Sequence, residues 1–177
     1  SENIYILDDS VVKFFHDSEM NLKRVQWSKV LSGLVPKIIG SKQNFFRYDY
    51  AQGNLFSKTV NPLSMREFLL WCHDNMWSKT NGKDITNECD QFYFDKTRKR
   101  VTQYLKGKPD EATKINGSLI PAIDELLSAV DKNMMTAGIS AIFHGDCILD
   151  NVIENEIGFT LIDWRQDFAG CIESGDV

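Results

Sequence analysis

An α+β fold is predicted for this chain by three observations. Short β-rich runs crowd the first fifty residues, apolar residues recur at helical spacing through the middle, and two further β-rich runs flank a turn near the end. The chain accordingly divides into a small β-rich part, 1–52, and a mainly helical part, 53–177, that carries a terminal hairpin.

The elements follow in order. Residues 4–7 and 11–15 are β-rich and separated by Asp8-Asp9-Ser10, a turn signal, so the chain opens with a hairpin. Lys13 stands inside the second run with apolar residues on both sides. Burying a lysine there is costly unless an anion meets it, which makes Lys13 a candidate phosphate ligand. The alternative is an edge-strand lysine turned to water. Asp17-Ser18 then caps a helix to about Leu31, stopped by Gly33 and Pro36. Residues 38–39 and 45–50 are further strands, the second leading into Ala51-Gln52-Gly53.

Residues 64–77 place Met65, Phe68, Leu69, Cys72 and Met76 at helical spacing, with Ser64 as cap and Glu67 completing a capping box. Residues 88–105 predict a second helix with Phe92, Val101, Tyr104 and Leu105 towards a core, and residues 119–134 a third. His73 reads as a helix-surface or packing residue, since its neighbours lack metal-ligand spacing. The loosest linkers are 81–87 and 107–117.

Composition narrows the class. At 177 residues and 42% hydrophobic, the chain can bury a respectable core as one domain or two small lobes. With 25 acidic against 20 basic residues and no basic stripe interleaved with aromatics, nucleic acid is not an expected partner. The basic cluster Lys96, Arg98, Lys99, Arg100 is either the solvated face of a helix or an attractor for an acidic substrate. No signal peptide or membrane span is visible. The four cysteines, at 72, 89, 147 and 171, form no C-x-x-C, so neither zinc nor a disulfide framework is expected, and a reducing cytoplasm is the default location.

The chemistry concentrates late in the chain. Phe143-His144-Gly145-Asp146 is followed by Asn151 and then by Leu161-Ile162-Asp163-Trp164. Residues 152–153 and 159–162 read as strands turning through Asn155-Glu156-Ile157-Gly158, a hairpin that folds Asp163 back towards Asn151. Mg²⁺ prefers hard oxygen ligands and takes one or two carboxylates plus substrate phosphates, which suits Asn151 and Asp163. Asp146 is then left to orient and deprotonate an attacking hydroxyl.

The pattern H-G-D-x-x-x-x-N followed by I-D-W resembles the aminoglycoside phosphotransferase and choline kinase branch of the protein-kinase-like fold. The resemblance implies a two-lobed fold, with a small truncated N-terminal β lobe and a mainly helical C-terminal lobe, and ATP- and Mg-dependent phosphorylation of a small-molecule hydroxyl. By position Asp146 matches the catalytic base, Asn151 and Asp163 the metal ligands, and His144 a residue that buttresses the loop. Lys13 matches the strand lysine that steadies phosphates, and Asp49 and Tyr50 fall at the strand end that meets the adenine. Trp164, Arg165 and Asp167 stand just beyond the metal carboxylate as candidate substrate contacts.

Kinase-like folds place a glutamate on the first helix to hold the lysine. Here Glu19 lies in the first turn and Gln26 is uncharged, so the lysine's partner is open. Ser1-Glu2-Asn3 resembles the tail of the glycine-rich turn over the phosphates, which makes Asn3 a nucleotide-site candidate. Glu173-Ser174-Gly175-Asp176-Val177 resembles a segment leading into further helices, so further sequence is expected at both ends. Residues Phe92 to Thr97, Arg100 and Asp163 to Gly170 resemble a bacterial subgroup associated with capsule or surface-polysaccharide synthesis.

Two functions follow. One is a small-molecule kinase using ATP and Mg²⁺ on a sugar, an amino-alcohol or a polysaccharide precursor. The other is a catalytically silent, nucleotide-sensing or scaffold module of a larger polysaccharide-biosynthesis protein, favoured by the missing helix glutamate and the short glycine turn. Hydrolysis without a nucleotide has less support, because no second base or nucleophile is indicated.

Overall fold

The computed structural model describes residues 2–78, 82–106 and 114–167. Ser1, Asn81, the expected linker residues 107–113 and everything from Phe168, Cys171 included, lie outside the described residues. The chain forms two compact units, Ser1–Asn81 with Ala141–Val177, and Gly82–Ser140. It is a mixed α/β protein with small antiparallel sheets and several helices.

In the first unit β1 (Glu2–Ile6) and β2 (Ser10–Phe15) form the expected hairpin, with Ile4 opposite Lys13. Helix α1 (Ser18–Val30) begins where the sequence predicts, because the Asp17 carboxylate accepts from the amides of Glu19 (2.9 Å) and Met20 (3.4 Å). It ends at Leu31, ahead of Gly33 with φ +84°. Strands β3 (Ile38–Lys42) and β4 (Phe45–Asp49) complete a four-stranded sheet ordered β1-β2-β4-β3. Period-two alternation turns Val11, Lys13 and Phe15 of β2 and Phe46 and Tyr48 of β4 to one face.

After β5 (Asn54–Leu55) and the single turn α2 (Phe56–Thr59) comes α3 (Pro62–Cys72), extended by a π-helical turn over His73–Trp77. The predicted cap is corrected here. Asn61, not Ser64, is the N-cap, and Ser64 is the third residue of the capping box, while Glu67 takes no part. Pro62 explains the earlier start, since its fixed φ suits the first helical position and its missing N–H is not needed there.

The second unit starts with α4 (Thr86–Asp90), which runs through a π-helical turn, Gln91–Asp95, into α5 (Lys96–Leu105). Helix α5 buries none of its residues and Tyr104 is 67% exposed, against the expectation of a core-facing stripe. Arg98, Lys99 and Arg100 are exposed on α5, and Arg98 lies 3.9 Å from Asp95 and 3.8 Å from Asp124. The single helix expected over 119–134 is also corrected. A small hairpin of β6 (Lys114–Ile115) and β7 (Ser118–Leu119) precedes two separate helices, α6 (Ile123–Ser128) and α7 (Lys132–Thr136). Asp131 separates them, because its side chain accepts from the Met134 amide and caps α7 instead of continuing α6.

Returning to the first unit, β8 (Val152–Asn155) and β9 (Gly158–Leu161) form the predicted hairpin, and β5 pairs with β8 to make a three-stranded sheet. An aromatic core underlies both sheets of this unit. Phe15, Phe46, Tyr48 and Trp164 pack on the four-stranded sheet, and Phe56, Phe68, Trp71 and Phe159 pack beside the hairpin. Among the described residues no helix is long and apolar enough to cross a membrane. Cys72, Cys89 and Cys147 are free thiols.

Candidate active site

The β8–β9 hairpin sets the register of the site. Val152 lies opposite Leu161, and the Ile162 amide donates to the Asn151 carbonyl at 2.8 Å, so residues flanking the two strands meet at the same end. The turn is closed by Asn155, whose side chain accepts from the Ile157 amide at 3.0 Å, and by Gly158 at φ +129°. Asn151 is buried and donates its Nδ2 to the Asp146 carbonyl at 2.9 Å, which leaves Oδ1 as its acceptor. Asp163 holds a left-handed backbone, φ +60°, a conformation that a non-glycine residue adopts at some cost and that often marks functional positions.

Lys13 is 1% exposed, and its ammonium donates to Asp163 Oδ1 and lies 3.7 Å from Glu2 Oε1. Arg24 of α1 is 2% exposed. Its Nη1 stands 3.7 Å from Asp163 and 3.8 Å from Glu2, and its Nε donates to Gln166 Oε1 at 2.7 Å. Two buried cations therefore share two carboxylates, which answers the cost of burying either charge alone. Burial pushes the Asp163 carboxyl up, but the Lys13 ammonium, the bond it donates and the guanidinium groups of Arg24 and Arg165 outweigh it and hold the group below its ordinary value.

A cavity of about 370 Å³ opens over this cluster. Its walls are Ile4, Ile6 and Val11 from β1 and β2, with Tyr48, Tyr50, Leu55 and Ile153, and its polar lining is Lys13, Asn151 and Asp163. Apolar walls with a few convergent polar groups are the usual make-up of a small-molecule site. Asn151 and Asp163 are oxygen donors of the kind a hard divalent cation takes beside phosphate oxygens, since the Asn151 amide is already oriented and both residues line one cavity. Among the described residues no group of three or more His, Cys, Asp or Glu forms an all-protein metal cage.

Asp146 is not among the cavity-lining residues and joins the cluster through Arg165. That guanidinium donates to Asp146 Oδ2 from Nε at 3.1 Å and Nη2 at 2.8 Å, and reaches to 4.0 Å from Asp163 Oδ2. Gly145 makes this possible. Its φ is +85°, and a Cβ there would stand 2.6 Å from Arg165 Cβ, where the Arg165 amide also donates to the His144 carbonyl at 2.9 Å. His144 is 2% exposed, and neither ring nitrogen reaches hydrogen-bond geometry, although the backbone of Asp146 and Ile162 lies close by. Burial pushes its pKa down to about 4, against a weaker pull from those backbone groups.

No family model matches the chain, and no curated protein matches it. Among solved structures the chain is similar to the GDP and kanamycin complex of APH(2")-IIia, with a TM-score of 0.48 and 16% identity, over 92% of this chain and 66% of that one. The chain thus spans just under two thirds of the length of that neighbour.

The remaining expected site residues fall apart from the cavity. Asn3 alternates with Ile4 on β1 and does not line it, and Asp49 alternates with Tyr48 on β4 and is exposed. Trp164 is corrected from a substrate contact to a core residue. It is 1% exposed, stacks on Phe46 at 5.5 Å and donates its indole N–H to the Arg24 carbonyl at 3.0 Å. Asp167 accepts from Gln166 at 2.6 Å.

Glu2, Arg24 and Gln166 were not anticipated from sequence. A signal for two of them existed. Glu2 shares its strand face with Ile4 and Ile6, and Asn21, Arg24 and Trp27 recur every third residue, the face that α1 buries.

Proposed function

We propose that this protein is a phosphotransferase that moves a phosphoryl group from ATP to a hydroxyl of a small molecule, such as a sugar, an amino-alcohol or a polysaccharide precursor, with Mg²⁺ as its metal. The observation that carries the reading is the convergence of Lys13, Asn151 and Asp163 on one cavity, with Asp146 one guanidinium away. The apolar walls from β1, β2 and β4 suit a nucleobase and leave the polar end for phosphates. Lys13 steadies those phosphates, and Asn151 with Asp163 would hold the metal. A bound Mg²⁺ would supply positive charge against the phosphates.

Asp146 accepts the proton of the acceptor hydroxyl, and Arg165 aims it by donating twice to one oxygen, leaving Oδ1 for the substrate. His144 stays neutral behind the loop and stiffens it by packing. A two-lobed, kinase-like arrangement with the nucleotide side in 1–52 belongs to the same proposal.

A second reading is a silent nucleotide-binding module of a larger protein. It is favoured by the resting ion pairs, in which Lys13 occupies Asp163 and Arg165 occupies Asp146. The two are separated by ATP consumption measured against a panel of sugars, choline and aminoglycosides. Consumption that depends on one acceptor supports the transferase, nucleotide binding without consumption supports the module, and no nucleotide binding removes both.

A further inference from the structure

We infer that Glu2, on strand β1, is the positioning carboxylate of Lys13, receiving the ammonium when Asp163 turns to a divalent cation. The inference rests on the transferase site proposed above. Lys13 and that cation compete for one group, because the lysine ammonium already donates to Asp163 Oδ1. An ammonium 1% exposed cannot be left without an anion, since an unpaired buried charge is far costlier than a paired one.

Among the described residues, Glu2 is the one carboxylate besides Asp163 within 4 Å of the Lys13 ammonium, at 3.7 Å. The helix that packs beside the lysine offers no substitute, because α1 turns Arg24 towards the cluster. Arg24 instead holds the receiving group. Its Nη1 stands 3.8 Å from Glu2 Oε2 while Glu2 Oε1 faces Lys13, so the two oxygens of Glu2 bridge two cations. That Nη1 has no hydrogen-bond partner of its own, and it faces both carboxylates, so it neutralises whichever one Lys13 has left. The charge that steadies the lysine thus comes from a strand, and the helix supplies the opposite sign.

Removing the Glu2 charge leaves Lys13 with Asp163 alone and so strengthens the competition against the metal. The test is isothermal titration of the protein with ATP at a series of magnesium concentrations, with thermal melts confirming the fold of each variant. Glu2→Gln is expected to raise the magnesium concentration for half-maximal ATP binding by about tenfold. Glu2→Asp, which keeps the charge on a shorter stem, is expected to give a smaller shift. In a Lys13→Met background Glu2→Gln is expected to add nothing, because its effect runs through the lysine.

An unaltered magnesium requirement in both Glu2 variants overturns the inference, as does an equal shift with and without Lys13. Wild-type protein that binds no ATP with magnesium removes the proposed function as well. A wild-type magnesium requirement that the Glu2 variants do not change removes this inference alone.

Discussion

Arg165 donates to a single oxygen of Asp146 from both Nε and Nη2, at 3.1 and 2.8 Å. A carboxylate gripped on one oxygen is fixed in direction, and its free oxygen is the one that meets a hydroxyl. Asp146→Asn preserves the size and the loop but not the basicity. Turnover in the presence of the acceptor is expected to fall by about 100- to 10,000-fold, with ATP affinity by titration unchanged. Undiminished turnover would take Asp146 out of the mechanism.

Gly145→Ala tests why glycine separates His144 from Asp146. The substitution places a Cβ 2.6 Å from Arg165 Cβ and 3.0 Å from the Asp167 carbonyl, on a backbone at φ +85°. The left-handed conformation and the overpacking together are expected to cost about 2–5 kcal/mol. Denaturant unfolding measures it, and a loss under 1 kcal/mol would contradict the close packing of Arg165 on this loop.

His144 gives the stability a pH dependence of known sign. Its folded pKa of about 4 lies below the ordinary value of about 6.5, so between those values the unfolded chain binds the proton that the folded chain refuses. Stability is therefore flat above about pH 6.5 and falls towards pH 4, by on the order of 3 kcal/mol. Asp163 acts below that window. Its pKa is lowered, so its contribution is full above its ordinary value of about 3.9 and is lost as the pH falls through the depressed folded value. Chemical denaturation across pH 4 to 7 is expected to show the slope in the wild type and not in His144→Phe.

Arg24→Met keeps the stem of a buried side chain and removes its charge. It releases the bond to Gln166 and leaves Glu2 and Asp163 with Lys13 as their remaining buried cation. The expected loss is about 3 kcal/mol, the lower end for breaking a buried ionic cluster. A melting temperature equal to that of the wild type would show the guanidinium to be dispensable.

Asn61→Ala and Glu67→Ala discriminate the two capping schemes for α3. Asn61 accepts from the amides of Leu63 and Ser64, so its loss is expected to cost about 1 kcal/mol. Glu67 is exposed and takes no part in the cap, so its replacement is expected to stay within about 0.5 kcal/mol. A larger melting shift for Glu67→Ala than for Asn61→Ala would reinstate the cap at Ser64.

The hairpin ending at Asp163, the opening hairpin and the Asp17 cap were legible because each is made by residues close along the chain with strong local preferences. The helices of 119–134 were not, since Asp131 acts as a cap only where the chain has room to turn there. Trp164 was misread for a related reason. Beside a metal carboxylate a tryptophan reads as a substrate contact, and only the stacking of Phe46 and Tyr48 against it reveals a core position.

Local pattern predicted the hairpin through Asn155-Glu156-Ile157-Gly158 that carries Asn151 and Asp163 on its flanks, because antiparallel strands joined by a short turn bring their outer ends to one side. It left Lys13 between two readings, a buried lysine met by an anion and an edge-strand lysine turned to water, and the burial of Lys13 decided for the first. Which anion was decided by folding. Lys13 meets Asp163 across 150 positions and Arg24 meets Gln166 across 142, and no spacing along a chain encodes contacts made when a sheet, a helix and a hairpin close over one cavity.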